Sequence, residues 1–178
     1  DGHSNTAVGK GSLGANTTAD QNTAVGFNAL TANTTGAENV ALGYGSLQAN
    51  TTATKNVAVG LQTLNASTTG VENVAVGRRA GLSNTTGNNN VSIGHCAGHN
   101  ITTGGQNINI GGYARVASNT ESYSLAIGYN IVGKGANTGY IAPDGTATSG
   151  IYQGNNSSSW ATTSDKRIKK NIVDNTTG

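Results

Sequence analysis

Methionine is absent from the 178 residues, and phenylalanine, tryptophan, proline and cysteine occur once each. With 34% hydrophobic residues and so few large ones, the chain has no means of filling a compact core of ordinary thickness. Cys96 stands alone, which excludes a disulfide framework within the chain. Charge is scarce as well: 10% of residues are charged and the net charge is +2, so no overall field draws the chain to nucleic acid or to an acidic membrane surface. No apolar run is long enough to cross a bilayer, and no membrane insertion is expected. Asp1 is not a translation start and no signal-peptide pattern follows it, so a processed or partial product is expected.

Glycine is plentiful, at 27 residues, and it recurs on a fixed spacing. Asn5, Asn22, Asn39, Asn56, Asn73, Asn90 and Asn107, with Ser124 in the eighth place, each open a five-letter phrase, one every 17 residues. The phrase closes on Gly9, Gly26, Gly43, Gly60, Gly77, Gly94, Gly111 and Gly128. Unbroken periodicity of this kind marks a stacked, quasi-one-dimensional architecture. Between Asn and Gly stand β-branched or aliphatic residues flanking a small one, as in Val40-Ala41-Leu42, which predicts a short strand. Its large side chains face one way and its small one the other. A second apolar site follows at Leu13, Leu30, Leu47 and Leu64, shifting to Leu82 and Val116, and predicts a second strand in each repeat. Asn16-Thr17-Thr18 and its successors at 33, 50, 67 and 84 predict corners, since Asn, Thr and Gly supply side-chain-to-backbone hydrogen bonds and positive φ.

The expected fold is therefore all-β: a parallel β-solenoid, or β-roll, of eight 17-residue coils. At about 4.8 Å per coil it is a rod roughly 38 Å long. Because its interior is thin, the alanine and glycine side of each strand is expected to pack on other copies of the chain. The expected organisation is a shaft over 1–133, an irregular β tip or connector over 134–163, and a charged C-terminal segment over 164–178. Ile151, Tyr152 and Trp160 are expected to join a small cluster that depends on assembly.

The repeated phrase resembles the head repeats of trimeric autotransporter adhesins and the shaft repeats of phage tail fibres. That resemblance implies left-handed β-rolls from three chains around a threefold axis, hence a homotrimer. Trp160-Ala161-Thr162-Thr163, followed by Ser164-Asp165-Lys166-Arg167-Ile168-Lys169-Lys170-Asn171-Ile172, resembles the opening of the endosialidase-type intramolecular chaperone domain of such fibres. In that family the domain trimerises the fibre and then cuts itself off, which implies roles for Ser164 and Lys169 in self-cleavage of the complete precursor. No catalysis on other substrates is expected.

Other motifs carry less. Gly9-Lys10-Gly11-Ser12-Leu13-Gly14 fits a dinucleotide fingerprint, but no βαβ unit surrounds it. His95, Cys96 and His99 do not form a recognised ligand set, so no metal or other cofactor is expected. The residue after each invariant glycine forms a variable column: Lys10, Phe27, Tyr44, Leu61, Arg78, His95, Gly112 and Tyr129. Phe27, Tyr44 and Tyr129 are candidates for stacking on a glycan or packing against a sister chain. The threonines at 17, 34, 51, 68, 85 and 102 resemble an ice-binding ladder, but adjacent Thr pairs beside Asn fit corners better, because neighbouring side chains of an extended strand point to opposite faces. The reading that joins these features is a structural fibre in a virion or on a cell surface, presenting a tip to a glycan or protein receptor; a bacterial trimeric adhesin and an ice-binding solenoid are the alternatives.

Overall fold

Each phrase becomes a three-residue strand: β1 (Thr6–Val8), β2 (Thr23–Val25), β3 (Val40–Leu42), β4 (Val57–Val59), β5 (Val74–Val76), β6 (Val91–Ile93) and β7 (Ile108–Ile110). The eighth is longer, β8 (Leu125–Tyr129), and is followed by β9 (Gly139–Asp144), β10 (Ile151–Gln153) and β11 (Ala161–Thr162). The computed structural model describes residues 2–146 and 150–154, and the backbone of 161–162. Among the described residues there is no helix, and the strands form one 11-stranded sheet in sequence order. From β1 to β9 all neighbours are parallel, with equivalent residues of successive coils paired, as in Ala41 with Ala58. The chain is thus a β-solenoid of 17-residue coils.

Strands stop at three residues because both ends are bent. Glu38, Lys55 and Glu72, each preceding a repeat Asn, have φ of 58–61°, and the invariant glycines have φ of 117–141°. Extended backbone is possible only between them. Coils are then tied together on every side. Val40 N donates to Asn56 O and Gly43 N to Val25 O, both at 2.8 Å, while Leu30 N donates to Ser46 O and Thr34 N to Thr51 O at 3.0 and 2.9 Å.

The strand faces point the opposite way from the sequence expectation. Ala24, Ala41, Ala58, Ala75 and Ala126 are almost wholly buried inside the coil, whereas the residues flanking them face out, half-buried at Val25, Val57 and Val59 and more open at Val40 and Val76 (37%) and Val8 (57%). The cross-section is narrow. A leucine already fills it from the opposite wall, leaving room for one methyl group: Leu30, Leu47 and Leu64 meet Ala24, Ala41, Ala58 and Ala75 in one cluster.

These leucines also correct the expectation of a second strand. Leu13, Leu30, Leu47 and Leu64 lie in turns at φ of 47–51°. Left-handed backbone costs such a residue about 1–2 kcal/mol, and burying its side chain returns about 1.5–3 kcal/mol, so burial wins. In the fifth coil Gly81 takes the place, and Leu82 is only half-buried rather than continuing the column.

Asparagine supplies the second half of the interior. Asn39 N and Nδ2 both donate to Asn22 Oδ1, at 2.9 and 3.1 Å, and Asn39 Nδ2 also reaches Ala53 O at 2.8 Å. Asn56, Asn73, Asn90 and Asn107 repeat the pattern, ending where Ser124 N donates to Asn107 Oδ1 at 2.9 Å. A continuous amide ladder therefore runs along the rod, buried and hydrogen-bonded throughout.

Asn109 departs furthest from this pattern, with both of its side-chain polar atoms, Oδ1 and Nδ2, unpartnered. It occupies the alanine place of β7 and is fully buried. A buried amide without partners costs about 1–3 kcal/mol. Asn109→Leu, close to it in shape, is expected to raise the melting temperature by several degrees in a thermal scan, about 2–4 °C per kcal/mol for a chain of this size. A lowered melting temperature would mean that the amide is satisfied, for example by an internal water.

Past residue 133 the parallel stack continues one strand further than the expected shaft. β9 pairs with β8 at a spacing of 14 residues, Leu125 opposite Gly139, with a bulge between Ile127 and Tyr129. β10 and β11 then reverse to antiparallel. Tyr140 is buried with Ala114, Ala126, Ile131 and Ala142, and Tyr152 packs against that cluster. Tyr152 is thus accommodated within a single chain; Ile151 is exposed, and Trp160 lies outside the described residues.

Candidate functional site

Two adjoining surfaces concentrate what the rod offers a partner. The first is the outward strand face, where Val8, Val40, Leu42, Val76, Ile93 and Ile108 are exposed and no charged residue intervenes within β1 to β8. The second is the column just past the invariant glycines. Gly26 opens the way to it: a Cβ there would meet Gly43 O at 2.5 Å, so neighbouring coils approach through bare backbone and the next residue is turned outward.

Of the three predicted contact residues, the fold brings two together. Phe27 and Tyr44 lie on successive coils with centroids 5.2 Å apart and planes inclined by 12°, a stacked pair exposed to solvent. Tyr129 lies five coils beyond Tyr44, about 24 Å along the rod at about 4.8 Å per coil. It has a different neighbour, Tyr113, with centroids 6.3 Å apart and planes at 90°. Sequence reading missed Tyr113 because it is one place out of the column; the signal was Gly112, the only glycine in that column.

Around Tyr113 the surface is crowded with nitrogen bases and cations. His95 meets its ring edge-on at 4.9 Å and His99 at 6.4 Å. Arg78 Nη1 lies 2.8 Å from His95 Nε2, and because a guanidinium can only donate, His95 Nε2 accepts in this contact. His99 Nδ1 is 2.7 Å from Cys96 O and serves the local turn. Among the described residues no group of three or more His, Cys, Asp or Glu side chains is placed to hold a metal ion.

Ser164 and Lys169 lie outside the described residues. The corner threonines are better defined. Thr17, Thr34, Thr51, Thr68, Thr85 and Thr102 each donate Oγ1 to a carbonyl one coil on, at 3.0–3.3 Å. Compared with family models, curated proteins and solved structures, the chain has no significant match in any of the three.

Proposed function

We propose that the chain forms the shaft and distal part of a homotrimeric fibre that extends and presents a surface-binding tip, as a phage tail fibre does. The observation that carries this is the outward column of Val, Leu and Ile, repeated on every coil without a charge among them. A face of this kind on a free rod is a liability unless something apolar covers it. Strand addition is no remedy, because the strands already pair with the coils above and below, so a cover must pack face to face. A surface whose ridges recur once per coil is best matched by another surface of the same pitch, and a second copy of the chain has one. The likeness of the repeat to trimeric fibres supports three copies rather than two.

Function then follows from shape. A coil held to its neighbours on every side resists bending, and three identical chains present three identical tips, raising apparent affinity through effective concentration. A bacterial trimeric adhesin would use the same shaft and differ in what anchors it. The ice-binding reading is less favoured, since the hydroxyls of its ladder, Thr17 to Thr102, are engaged by the rod's own carbonyls. Self-cleavage before Ser164 belongs to this proposal only for a complete precursor.

Mass measurement in solution tests the assembly. Wild type is expected at three chain masses. Val59→Glu with Val76→Glu, which places charge on the outward face of two coils, is expected to shift the population to single chains. A wild-type chain that stays monomeric at micromolar concentration removes the proposal.

A further inference from the structure

We propose a lateral binding site for a uronic-acid oligosaccharide, built by Arg78, His95, Tyr113 and Tyr129 on the side of the rod. It goes beyond the fibre reading and needs only that the column past the glycines stays outside the interface between chains.

The local backbone builds the site from neighbouring coils. Arg78, His95 and Tyr129 hold equivalent places on coils five, six and eight. Coil seven offers Gly112 there, and its missing side chain makes a shelf: a Cβ on Gly112 would lie 3.3 Å from the ring of Tyr129, so that ring rests on bare backbone. The next residue, Tyr113, is thrown outward at φ 59° and stands perpendicular to Tyr129. His95 braces Tyr113, and Arg78 in turn contacts His95. Each ring is thus positioned by its neighbour before any ligand arrives, while Tyr129 remains 59% exposed.

Two features select the ligand. Coils succeed one another at about 4.8 Å, close to the length of one pyranose unit, so side chains of successive coils match the spacing of sugar rings, with Tyr113 standing beside the gap at Gly112, and a tyrosine face stacks on the apolar face of a sugar. Charge selects the anion. Over residues 73–140 the cations are Arg78, Arg79, Arg115 and Lys134, against Glu121 alone, whose carboxyl is buried and accepts from Ser118 N at 2.9 Å. Over residues 5–72 the balance is reversed, Lys10 and Lys55 against Asp20, Glu38 and Glu72. Asp144, opposite Tyr129 on β9, is a further carboxylate beside the site, its Oδ1 accepting from Thr146 N and Oγ1 at 2.8 and 2.7 Å, so the carboxylate of a bound uronate must lie away from it. Arg78 gives one contact to His95 and keeps further N–H donors, which match a carboxylate in paired geometry. A uronate on Tyr129 and Tyr113, with the next carboxylate toward Arg78, uses all of these groups.

Calorimetric titration with oligogalacturonate, beside its methyl-esterified, uncharged form, tests the site. The free acid is expected to bind saturably and the ester at least about tenfold more weakly, the factor that corresponds to losing about 1.4 kcal/mol. Arg78→Gln and Tyr129→Ala, both exposed positions, are each expected to weaken binding to the acid by a similar factor at unchanged circular dichroism. Absence of saturable binding, equal binding of the ester, indifference to Arg78→Gln, or equal competition by inorganic polyphosphate would each overturn the site. Measuring mass on the same sample separates the two proposals: a trimer that does not bind overturns only the site, and a monomer that binds overturns only the assembly.

Discussion

Gly77→Ala is expected to destabilise the rod severely. Two independent penalties meet at this position. Its φ of 127° lies where a residue with a Cβ is strained by about 1–3 kcal/mol, and the added carbon would sit 2.6 Å from Gly94 O and 2.7 Å from Gly94 C. That neighbour is backbone and is itself held in the ladder by Gly94 N donating to Val76 O at 2.8 Å, so it has nowhere to move. Relieving such overlap in a packed interior costs a further 1–3 kcal/mol or so. A combined loss of about 2–6 kcal/mol consumes much of the roughly 5–15 kcal/mol that holds an ordinary domain together. Gly14→Ala is the milder comparison: Gly14 is exposed, is not among the glycines with positive φ, and a Cβ there meets Gly11 O at 3.3 Å, a tight contact that an exposed turn relieves by a few tenths of an ångström. Urea denaturation should place the midpoint of the Gly14 variant at that of wild type and that of the Gly77 variant far below. Matching midpoints for the two would mean that the glycine column is not a backbone requirement.

Asn73→Ala should have the second-largest effect. The side chain donates Nδ2 to Asn56 Oδ1 and Gly87 O at 3.1 and 2.9 Å, and its Oδ1 accepts from Asn90 N and Nδ2 at 2.9 and 3.2 Å. Truncation leaves the buried N–H of Asn90 without an acceptor, which costs about 1–3 kcal/mol in addition to the bonds lost. Asn73→Asp is the sharper test. It keeps the acceptor for Asn90 and the shape of the side chain, but turns an oxygen toward Asn56 Oδ1 and Gly87 O and buries a charge among acceptors. The aspartate variant should therefore be at least as unstable as the alanine variant at neutral pH, and should recover part of its stability in acid, where the protonated carboxyl can donate. Equal stability of aspartate and asparagine at pH 7 would show that the amide's donors contribute nothing.

The sequence made the rod legible because its period is strict and its strand phrase short. Direction was harder. Alternation in Val40-Ala41-Leu42 says that two faces differ, but not which is inside, since that depends on a cross-section set by Leu30 and Leu47 from the opposite wall. Asn at the head of each repeat reads equally well as a turn former, and its burial becomes visible only when one asks where the amide of a residue fixed at every coil finds its partners. Turn leucines at positive φ contradict local preference, so no local rule could have found them. At the surface, the aromatic column was legible, while the Tyr113 cluster was hidden by a one-residue offset at Gly112. Ser164 and Lys169, whose roles rest on resemblance alone, lie outside the described residues.

Within one chain, a coil touches only the coil before and the coil after. Because Thr23, Val40 and Val57 meet their successors through the same register, a gene that duplicates or drops one 51-base unit would alter reach by a single step and create no kind of junction not already present. Length in such a molecule is an inheritable integer, open to recombination between copies.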